Sequence, residues 1–331
     1  MKNKKKTALV TGGAGFIGSH MVDLLIKENY IVRVIDNLSG GRLNNLKKHK
    51  NTKNLIFANK DILDIKKDDK IFKGVEYVFH FAGSGDIVPS IENPKHYIDT
   101  NVVGTTNVLE ASKNAKVKKF IYAASSSCYG LAQTPTDEKH VISTEYPYAL
   151  TKYMGELATM HWSKIYKLPA ISIRIFNAYG PRVRTTGLYG AVFGVFLKQK
   201  LANKPLTVVG DGKQTRDFLY VTDVVKAFFL AAKSKKKNEI YNLGASKPQS
   251  INSLAKIVGG KIIYIPKRPS EPDCTWASIK KIQRDLKWKP TVSFEYGVKE
   301  MLKNIQNWNK APLWDKKSIK IATKTWFKYL G

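Results

Sequence analysis

The sequence predicts an α/β protein with a doubly wound, mainly parallel sheet and a smaller, discontinuous α/β domain. Strand-length apolar segments alternate with helical ones up to Phe176, beginning with Thr7–Thr11, a glycine-rich turn and an apolar helix. From Asn177 the pattern changes to loops rich in glycine and aromatic residues, and the alternation resumes near Asp217. We therefore expect residues 1–176 plus about 217–246 to form the first domain. The second domain is then about 177–216 plus 247–331.

Length and composition indicate a soluble globular chain. Its 331 residues, 43% hydrophobic and 25% charged, suffice for one large domain or two joined domains. Two cysteines cannot build a disulfide framework or a zinc cluster, so no metal site is predicted. The apolar run after Lys2–Lys6 stops at Thr11, too early for an export segment, and no run approaches membrane-spanning length. We expect a cytoplasmic protein without a membrane partner.

The formal net charge of +30 is unusually high. The lysines are spread along the whole chain and often stand beside asparagine, as in Lys47–Asn51. This distribution favours solvated basic surfaces over a nucleic-acid interface, so no nucleic-acid partner is expected. An anionic ligand would also gain from the field.

The turn after the first strand has the glycine spacing of a phosphate-binding loop. Gly12 permits the tight turn, Gly15 lets backbone amides approach a pyrophosphate, and Gly18 permits close helix–strand packing. A second strand, Ile31–Ile35, ends in Asp36, whose carboxylate can accept both ribose hydroxyls of an adenosine. This order predicts a Rossmann-type dinucleotide-binding domain.

Asp36 also bears on the choice of dinucleotide. A carboxylate would repel the 2′-phosphate of NADP, so the sequence favours NAD. Arg42 stands nearby and keeps NADP open as an alternative.

Tyr148 and Lys152 are four residues apart, which places both on one face of a helix. An ammonium near a phenol favours the phenolate, so Lys152 is expected to lower the pKa of Tyr148. Such a tyrosine can remove a proton from a sugar hydroxyl while hydride leaves the same carbon. A solvated helix face would show the same spacing.

The Gly-x-x-Gly-x-x-Gly turn together with Tyr-x-x-x-Lys resembles the extended short-chain dehydrogenase/reductase family. The similarity is greatest to its nucleotide-sugar epimerases, the UDP-galactose 4-epimerase group, and runs from about Thr7 to Pro290. It implies NAD as cofactor, a UDP-sugar as substrate, and a homodimer built from residues of about 94–114 and 147–166.

The resemblance also implies which residues bind the dinucleotide. They lie in the glycine turn, at the ends of the following strands, and at the Tyr-x-x-x-Lys helix. They are Gly12, Gly15, Phe16, Ile17, Gly18, Asp36, Asn37, Asp61, Ile62, Phe81, Ala82, Gly83, Asn101, Tyr148 and Lys152.

A serine cluster follows the strand Phe120–Ala124. By resemblance, Ser125 shares a hydrogen bond with the substrate hydroxyl and completes a catalytic set with Tyr148 and Lys152. Dehydratases and decarboxylases of the family carry an acid in this segment, whereas Ser126 and Ser127 are hydroxyls. The segment therefore favours epimerisation.

The expected substrate residues come from both domains. Arg216 and Arg268 match arginines that clamp the nucleotide diphosphate. The segment 205–212 resembles a hairpin whose backbone lies against uracil. Thr275 falls where hexose-restricted epimerases carry tyrosine, and its small side chain would leave room for a 2-acetamido group. The full set is Ser125, Ser126, Ser127, Asn177, Ala191, Val192, Thr207, Val208, Arg216, Arg268 and Thr275.

These residues together predict NAD-dependent 4-epimerisation of a UDP-sugar, plain or N-acetylated, through a 4-keto intermediate. Same-family alternatives are a 4,6-dehydratase, a decarboxylase and a UDP-glucuronate epimerase. A non-catalytic NAD- or nucleic-acid-binding protein is the alternative of another class.

Beyond about Ala311 the family pattern fades. Trp314, Ile319, Trp326 and other apolar residues predict one terminal helix packed on the body, with no ligand role. Asp86 is expected on the loop that closes over the sugar.

Overall fold

The computed structural model describes residues 5–184 and 192–331. A seven-stranded, entirely parallel sheet forms its centre, with strand order β11-β6-β5-β4-β1-β2-β3. The predicted α/β class is confirmed. The sheet strands are β1 (Thr7–Thr11), β2 (Ile31–Asp36), β3 (Leu55–Asn59), β4 (Tyr77–His80), β5 (Lys119–Ser125), β6 (Ala170–Ile175) and β11 (Glu239–Leu243).

Helices cover both faces of this sheet and form most of the smaller part. They are α1 (Phe16–Lys27), α2 (Ile87–Glu92), α3 (Pro94–Ile98), α4 (Thr105–Asn114), α5 (Pro147–Ile165), α6 (Val192–Leu201), α7 (Val221–Lys233), α8 (Ile251–Val258), α9 (Lys280–Leu286), α10 (Phe294–Lys303), α11 (Lys316–Ala322) and α12 (Lys324–Tyr329). A π-helical segment, Asp99–Gly104, joins α3 to α4. No helix within the described ranges has the length and apolar character needed to cross a bilayer.

The strand order reverses between β1 and β4. β1 is buried along its whole length, and Thr11 lies opposite His80 at the ends of the two strands. The chain leaves β1 toward β2 on one side and later returns to β4 on the other. In parallel sheets this switch point, at the carboxyl ends of the strands, is where ligands bind.

Among the described residues, three short strand pairs hold the smaller part together. They are β8 (Leu206–Val209) with β13 (Ile262–Ile265), β9 (Thr215–Arg216) with β12 (Gln249–Ser250), and β7 (Ala178–Tyr179) with β10 (Leu219–Tyr220). The hairpin expected at residues 205–212 is wrong, because β8 pairs in parallel with β13, which lies far along the chain. Ser250 caps α8 by accepting the Ser253 amide.

Three large buried clusters form the core of the described residues. The first lies on one face of the central sheet, the second unites α6, α8 and α10 with β8, and the third lies on the other face of the sheet. Residues from Ala277 to Trp288 pack in the first cluster, although the sequence assigns them to the second domain. The tail also differs from expectation, since it forms two short helices, α11 and α12.

Candidate active site

The glycine turn lies at the switch point, and backbone atoms pack against it so closely that two of its positions have no room for a side chain. Gly12 has φ +67°, and a Cβ there would lie 2.7 Å from the Ala82 backbone nitrogen. A Cβ on Gly18 would overlap the Gly12 carbonyl oxygen. Both positions therefore require glycine, as the spacing predicts.

The start of α1 is free to receive an anion. Gly15 is its N-cap residue and has no side chain to satisfy the helix amides. The amides of Phe16 and Ile17 open the helix, where unpaired N–H groups and the helix dipole favour a phosphate. The turn thus fits the pyrophosphate of a dinucleotide.

Asp36 is held by backbone donors at the end of β2. Its two carboxylate oxygens accept the Ala14 amide at 2.9 Å and the Leu38 amide at 2.8 Å. Burial raises the pKa of this carboxyl, and the backbone hydrogen bonds oppose that rise. Each oxygen keeps a lone pair for a ribose hydroxyl.

Among the other residues predicted to bind the cofactor, Asn37 and Asp61 hydrogen-bond each other, whereas Ile62 and Phe81 pack against apolar neighbours. Asn37 donates to Asp61 at 2.7 Å, which joins the ends of β2 and β3. Ile62 is buried and packs against Gly104, so its side chain belongs to the core. Phe81 packs against Phe228, with ring centroids 4.7 Å apart.

Asn101 lies in the π-helical segment and ties two parts of the site together. Its amide oxygen accepts the Ser84 amide at 2.8 Å, and its Nδ2 donates to Thr151 Oγ1 at 3.0 Å. A Cβ on Gly83 would lie 2.8 Å from the Asn101 oxygen. Asn101 therefore positions the end of β4 against α5, beside Lys152.

Ser125 and Tyr148 lie next to each other. Ser125 is the last residue of β5, and Tyr148 stands in the first turn of α5, where its hydroxyl is hydrogen-bonded to Ser125. Burial raises the pKa of Tyr148, the Ser125 hydrogen bond opposes this, and the charge of Asp86 adds to it.

Lys152 is buried one turn further along α5. Its ammonium lies 4.5 Å from the centroid of the Tyr122 ring and donates no hydrogen bond to a described residue. Burial lowers its pKa to about 8, and the charge of Glu156 acts in the opposite direction. Three donors thus remain for ribose hydroxyls, which fits the nicotinamide end of a dinucleotide.

The expectation that Lys152 lowers the pKa of Tyr148 does not match the net direction. The pKa of Tyr148 is raised, because the cost of burying a phenolate exceeds the opposing hydrogen bond from Ser125. The Lys152 ammonium faces Tyr122 instead.

Arg216 and Arg268 come together, as the clamp hypothesis requires. Both contact Glu271, whose carboxylate lies 2.8 Å from Arg216 Nη2 and 2.8 Å from Arg268 Nε. The two guanidinium groups thus converge on one anionic group, and a diphosphate has the charge to take that place.

Asn177 and Thr275 are also neighbours. Thr275 Oγ1 donates to Asn177 Oδ1 at 2.7 Å. The small threonine side chain is fixed at the end of β6, where Asn177 leaves the sheet.

Ser126 and Ser127 form a short 3₁₀ turn after β5. The Ser127 amide donates to Ser125 Oγ at 3.2 Å, and its side chain is hydrogen-bonded to the Tyr146 hydroxyl. Ser127 thus contacts Tyr146, the residue two positions before Tyr148.

The segment expected to lie against uracil would contribute its backbone, and the side chains of its residues Thr207 and Val208 are buried. Val208 is fully buried in the second core, and the Thr207 side chain is bonded to Gln199 at 2.8 Å. Their side chains therefore face the interior. Val192 begins α6 and packs against the second core, and Ala191 lies outside the described residues.

A cavity of about 330 Å³ lies beside these strands. Its lining includes Val209, Gln214 and Glu271. It adjoins the arginine pair through Glu271, so it can hold the nucleoside end of a ligand whose diphosphate lies between the arginines.

Sequence reasoning missed two aromatic residues of the site. The Tyr146 ring lies parallel to that of Tyr148, at 9° and 6.4 Å between centroids. Trp326, in α12, lies 6.4 Å from Tyr146 and 5.4 Å from the Arg268 guanidinium carbon. Only the tyrosine next to the Tyr-x-x-x-Lys motif could have drawn attention, because nothing near Trp326 in sequence marks it.

Three other residues have clear settings. Asp86 precedes α2 and lies 3.7 Å from Arg184. His80 bonds Thr11 and Thr105 in the interior, and burial lowers its pKa to about 3. Cys128 is buried, which raises its thiol pKa to about 12. His80 and Cys128 therefore belong to the buried scaffold.

The parallel sheet, the glycine turn and the Ser125, Tyr148 and Lys152 set define the class of extended short-chain dehydrogenase/reductases. A family profile described as GDP-mannose 4,6 dehydratase matches residues 9–301. The chain belongs to this family, whose members act on nucleotide sugars as epimerases, dehydratases and decarboxylases.

Individual relatives carry different sugars in their names. "Putative UDP-glucose 4-epimerase" of Methanocaldococcus jannaschii is 40% identical, over 91% of this chain and 99% of its own length. A solved UDP-N-acetylglucosamine 4-epimerase from Methanobrevibacter ruminantium M1, in complex with UDP-N-acetylmuramic acid, is 33% identical. It has a TM-score of 0.86 and covers 92% of this chain and 98% of its own.

A further solved relative contains the cofactor. The UDP-glucuronic acid 4-epimerase from Bacillus cereus, in complex with UDP-glucuronic acid and NAD, is 32% identical with a TM-score of 0.85. The match covers 91% of this chain and 99% of that one. The expectation of NAD is confirmed at the level of the family, and the residues described above fit it.

Proposed function

We propose that this chain catalyses the NAD-dependent 4-epimerisation of a UDP-sugar. The observation that carries the proposal is the hydrogen-bonded Ser125–Tyr148 pair, next to two hydroxyl residues and one turn from a buried ammonium. When bound, NAD supplies the acceptor and later the donor of hydride at the sugar C4.

Proton transfer falls to Tyr148. As the phenolate, its Oη accepts the C4 hydroxyl proton and later returns it, while Ser125 Oγ holds the substrate hydroxyl against it. Because burial raises the pKa of Tyr148, the phenolate needs a nearby positive charge, which an oxidised nicotinamide would supply when bound. Lys152 binds the nicotinamide ribose with the donors that its burial leaves unpaired. A ligand beside Tyr148 excludes water, so proton exchange with solvent is slow.

The serine turn supports epimerisation over elimination. A 4,6-dehydratase or a decarboxylase needs a further acid or base next to the sugar, and Ser126 and Ser127 supply only hydroxyls. Ser127 is moreover engaged with Tyr146.

The arginine pair supports a nucleotide diphosphate as the anchor. Arg216 and Arg268 can hold the diphosphate while the 4-keto sugar rotates and presents its other face at Tyr148. Thr275, fixed by Asn177, leaves space beside the sugar C2 and supports N-acetylhexosamines among the substrates.

We include a cytoplasmic location in this proposal, since Cys128 and Cys274 are both free thiols. The UDP moiety is supported by the cavity beside Glu271, next to the arginine pair.

The test is proton NMR of the purified protein with UDP-N-acetylglucosamine, UDP-glucose and UDP-glucuronic acid in separate samples. Interconversion at C4, without added reductant, is expected with at least one of the first two. Tyr148→Phe should lower the rate by roughly 10²–10⁴-fold while Tyr153→Phe, in the same helix, retains it.

Other products would contradict the proposal in distinct ways. Loss of the C6 hydroxymethyl signals would mean a dehydratase, release of a pentose product would mean a decarboxylase, and turnover of UDP-glucuronic acid alone would mean a uronic-acid epimerase. A protein that turns over no nucleotide sugar and binds random DNA in a salt-sensitive way would be a binding protein.

A further inference from the structure

The C-terminal helix α12 connects the two sides of the candidate active site. Thr325 Oγ1 donates to Glu92 of α2 at 2.9 Å. On the other side, Ser270, next to Pro269 in the loop that carries Arg268, donates from its hydroxyl to the Leu330 carbonyl at 2.9 Å. This helix lies outside residues 9–301, which the family profile matches.

Trp326 is the residue of α12 that faces the site. It is buried, and its indole Nε1 donates to the Pro269 carbonyl at 2.8 Å. The Arg268 guanidinium carbon lies 5.4 Å from the centroid of the Trp326 ring, and the centroids of the Trp326 and Tyr146 rings are 6.4 Å apart. A single side chain therefore supports both a clamp arginine and the ring beside the catalytic tyrosine.

Tyr146 extends this support to the reacting group. Its ring is parallel to that of Tyr148, and its hydroxyl is hydrogen-bonded to Ser127. Tyr146 thus connects α12 with both the start of α5 and the serine turn after β5.

We propose that Trp326 is a positioning residue of the active site, which orients Arg268 toward the diphosphate and holds Tyr146 as a wall of the sugar compartment. The inference rests on the proposed function for its sugar part and on the arginine pair alone for its diphosphate part.

Loss of this wall has a specific chemical consequence. Once C4 has given hydride to the dinucleotide and the hydroxyl proton to Tyr148, the sugar is a neutral ketone held by its nucleotide. A looser compartment and clamp let the 4-keto nucleotide sugar leave before hydride returns. The protein then keeps the reduced dinucleotide and the proton on Tyr148.

Three variants test the proposal. Trp326→Ala removes both ring contacts, Trp326→Phe keeps an aromatic ring facing Arg268 and Tyr146, and Tyr329→Ala removes an aromatic ring that is 60% exposed on the same helix. Each is compared with wild type by calorimetric binding of UDP, TDP and GDP, by kcat and KM, and by the near-ultraviolet absorbance of the reduced dinucleotide during turnover.

Trp326→Ala should bind the preferred nucleoside diphosphate roughly tenfold more weakly, in line with the loss of a partly buried cation–π contact. It should also accumulate reduced dinucleotide during turnover, which a purely structural defect would not cause. Trp326→Phe should restore most of both properties, and Tyr329→Ala should behave like wild type.

Several outcomes would overturn the inference. One is unchanged diphosphate affinity in Trp326→Ala, and another is a Trp326→Phe variant as impaired as Trp326→Ala. A wild-type protein that binds none of the three diphosphates would also contradict it. If wild type binds a diphosphate and turns over no sugar, the proposed function fails, and the binding data alone decide the role of Trp326.

Discussion

The role proposed for Lys152 conflicts with the stability of the folded chain. Its pKa in the folded protein is about 8, against an ordinary value of 10.5, because burial penalises the ammonium. Between these pH values the unfolded chain holds the proton and the folded chain does not. The free energy of unfolding contributed by this group therefore rises with pH from about 8 to 10.5, and below pH 8 the full penalty applies.

We predict that Lys152→Met raises the free energy of unfolding at pH 7 by roughly 1–3 kcal/mol, and that the gain fades as the pH approaches 10.5. The measurement is urea unfolding of wild type and variant, both freed of dinucleotide, at pH 7 and near pH 10.5. Lys164→Met, at an exposed position of the same helix, should change little. A less stable Lys152→Met protein at pH 7 would contradict the burial argument.

Thr275 is predicted to set the size of the sugar. A tyrosine there would lose the hydrogen bond to Asn177 and fill the space beside the sugar C2. Thr275→Tyr should lower kcat/KM for UDP-N-acetylglucosamine by more than about tenfold relative to UDP-glucose.

Thr275→Ser, which keeps the hydroxyl and the small volume, is the control and should preserve the ratio of the two kcat/KM values. An equal loss with both sugars in Thr275→Tyr would mean that Thr275 only supports the fold.

The site residues fall into two groups by how far sequence could predict them. Asp36, Tyr148 and Lys152 follow from local geometry, because strand ends and helix turns fix their neighbours within a few residues. Trp326 and Glu271 meet the site only through tertiary packing of distant segments. No local pattern encodes those contacts.

At the scale of single elements, the glycine turn is fixed by steric contact. Gly18 lies against the Gly12 carbonyl, so Gly18→Ala forces the turn apart. We predict a loss of stability of at least about 1–3 kcal/mol together with loss of dinucleotide binding, measured by thermal unfolding and by calorimetry.

Gly194 provides the matched control within α6. A Cβ there would lie 3.7 Å from Trp308 Nε1, an ordinary contact, so Gly194→Ala should be neutral or stabilise by about 0.5–1 kcal/mol. Unchanged dinucleotide binding in Gly18→Ala would contradict the prediction that a Cβ at this position disrupts the turn.

Elements that depend on long-range pairing were the hardest to predict. The strands of the central sheet are apolar and short, and their parallel direction follows from the alternation with helices. β8 has the same local pattern but pairs with β13, so its expected hairpin partner was wrong. The tail formed two helices where one was expected, because α11 ends at Ala322 and α12 begins again at Lys324.

At the scale of the whole molecule, the α5 surface has the apolar character of an interface. Leu150 and Leu157 are 42% and 50% exposed, and their spacing of seven residues places them on one helix face. Val103, in the neighbouring π-helical segment, is 45% exposed. We predict a homodimer through this face, which includes parts of both segments that the family resemblance implies.

Charge sets the conditions under which this dimer forms. Each copy has a net charge of +30, so two copies repel at low ionic strength, and salt should strengthen their association. Sedimentation equilibrium should give a dimer whose dissociation constant decreases as the salt concentration is raised from about 0.02 to 0.2 M, because screening increases over this range.

Leu157→Glu should yield monomers, because a dimer through this face would bury two unpaired carboxylates. Ile321→Glu is the control, since Ile321 is on α11 and is 68% exposed, and this variant should stay dimeric. A monomeric wild type at high salt, or a dimeric Leu157→Glu protein, would show that α5 is a free surface.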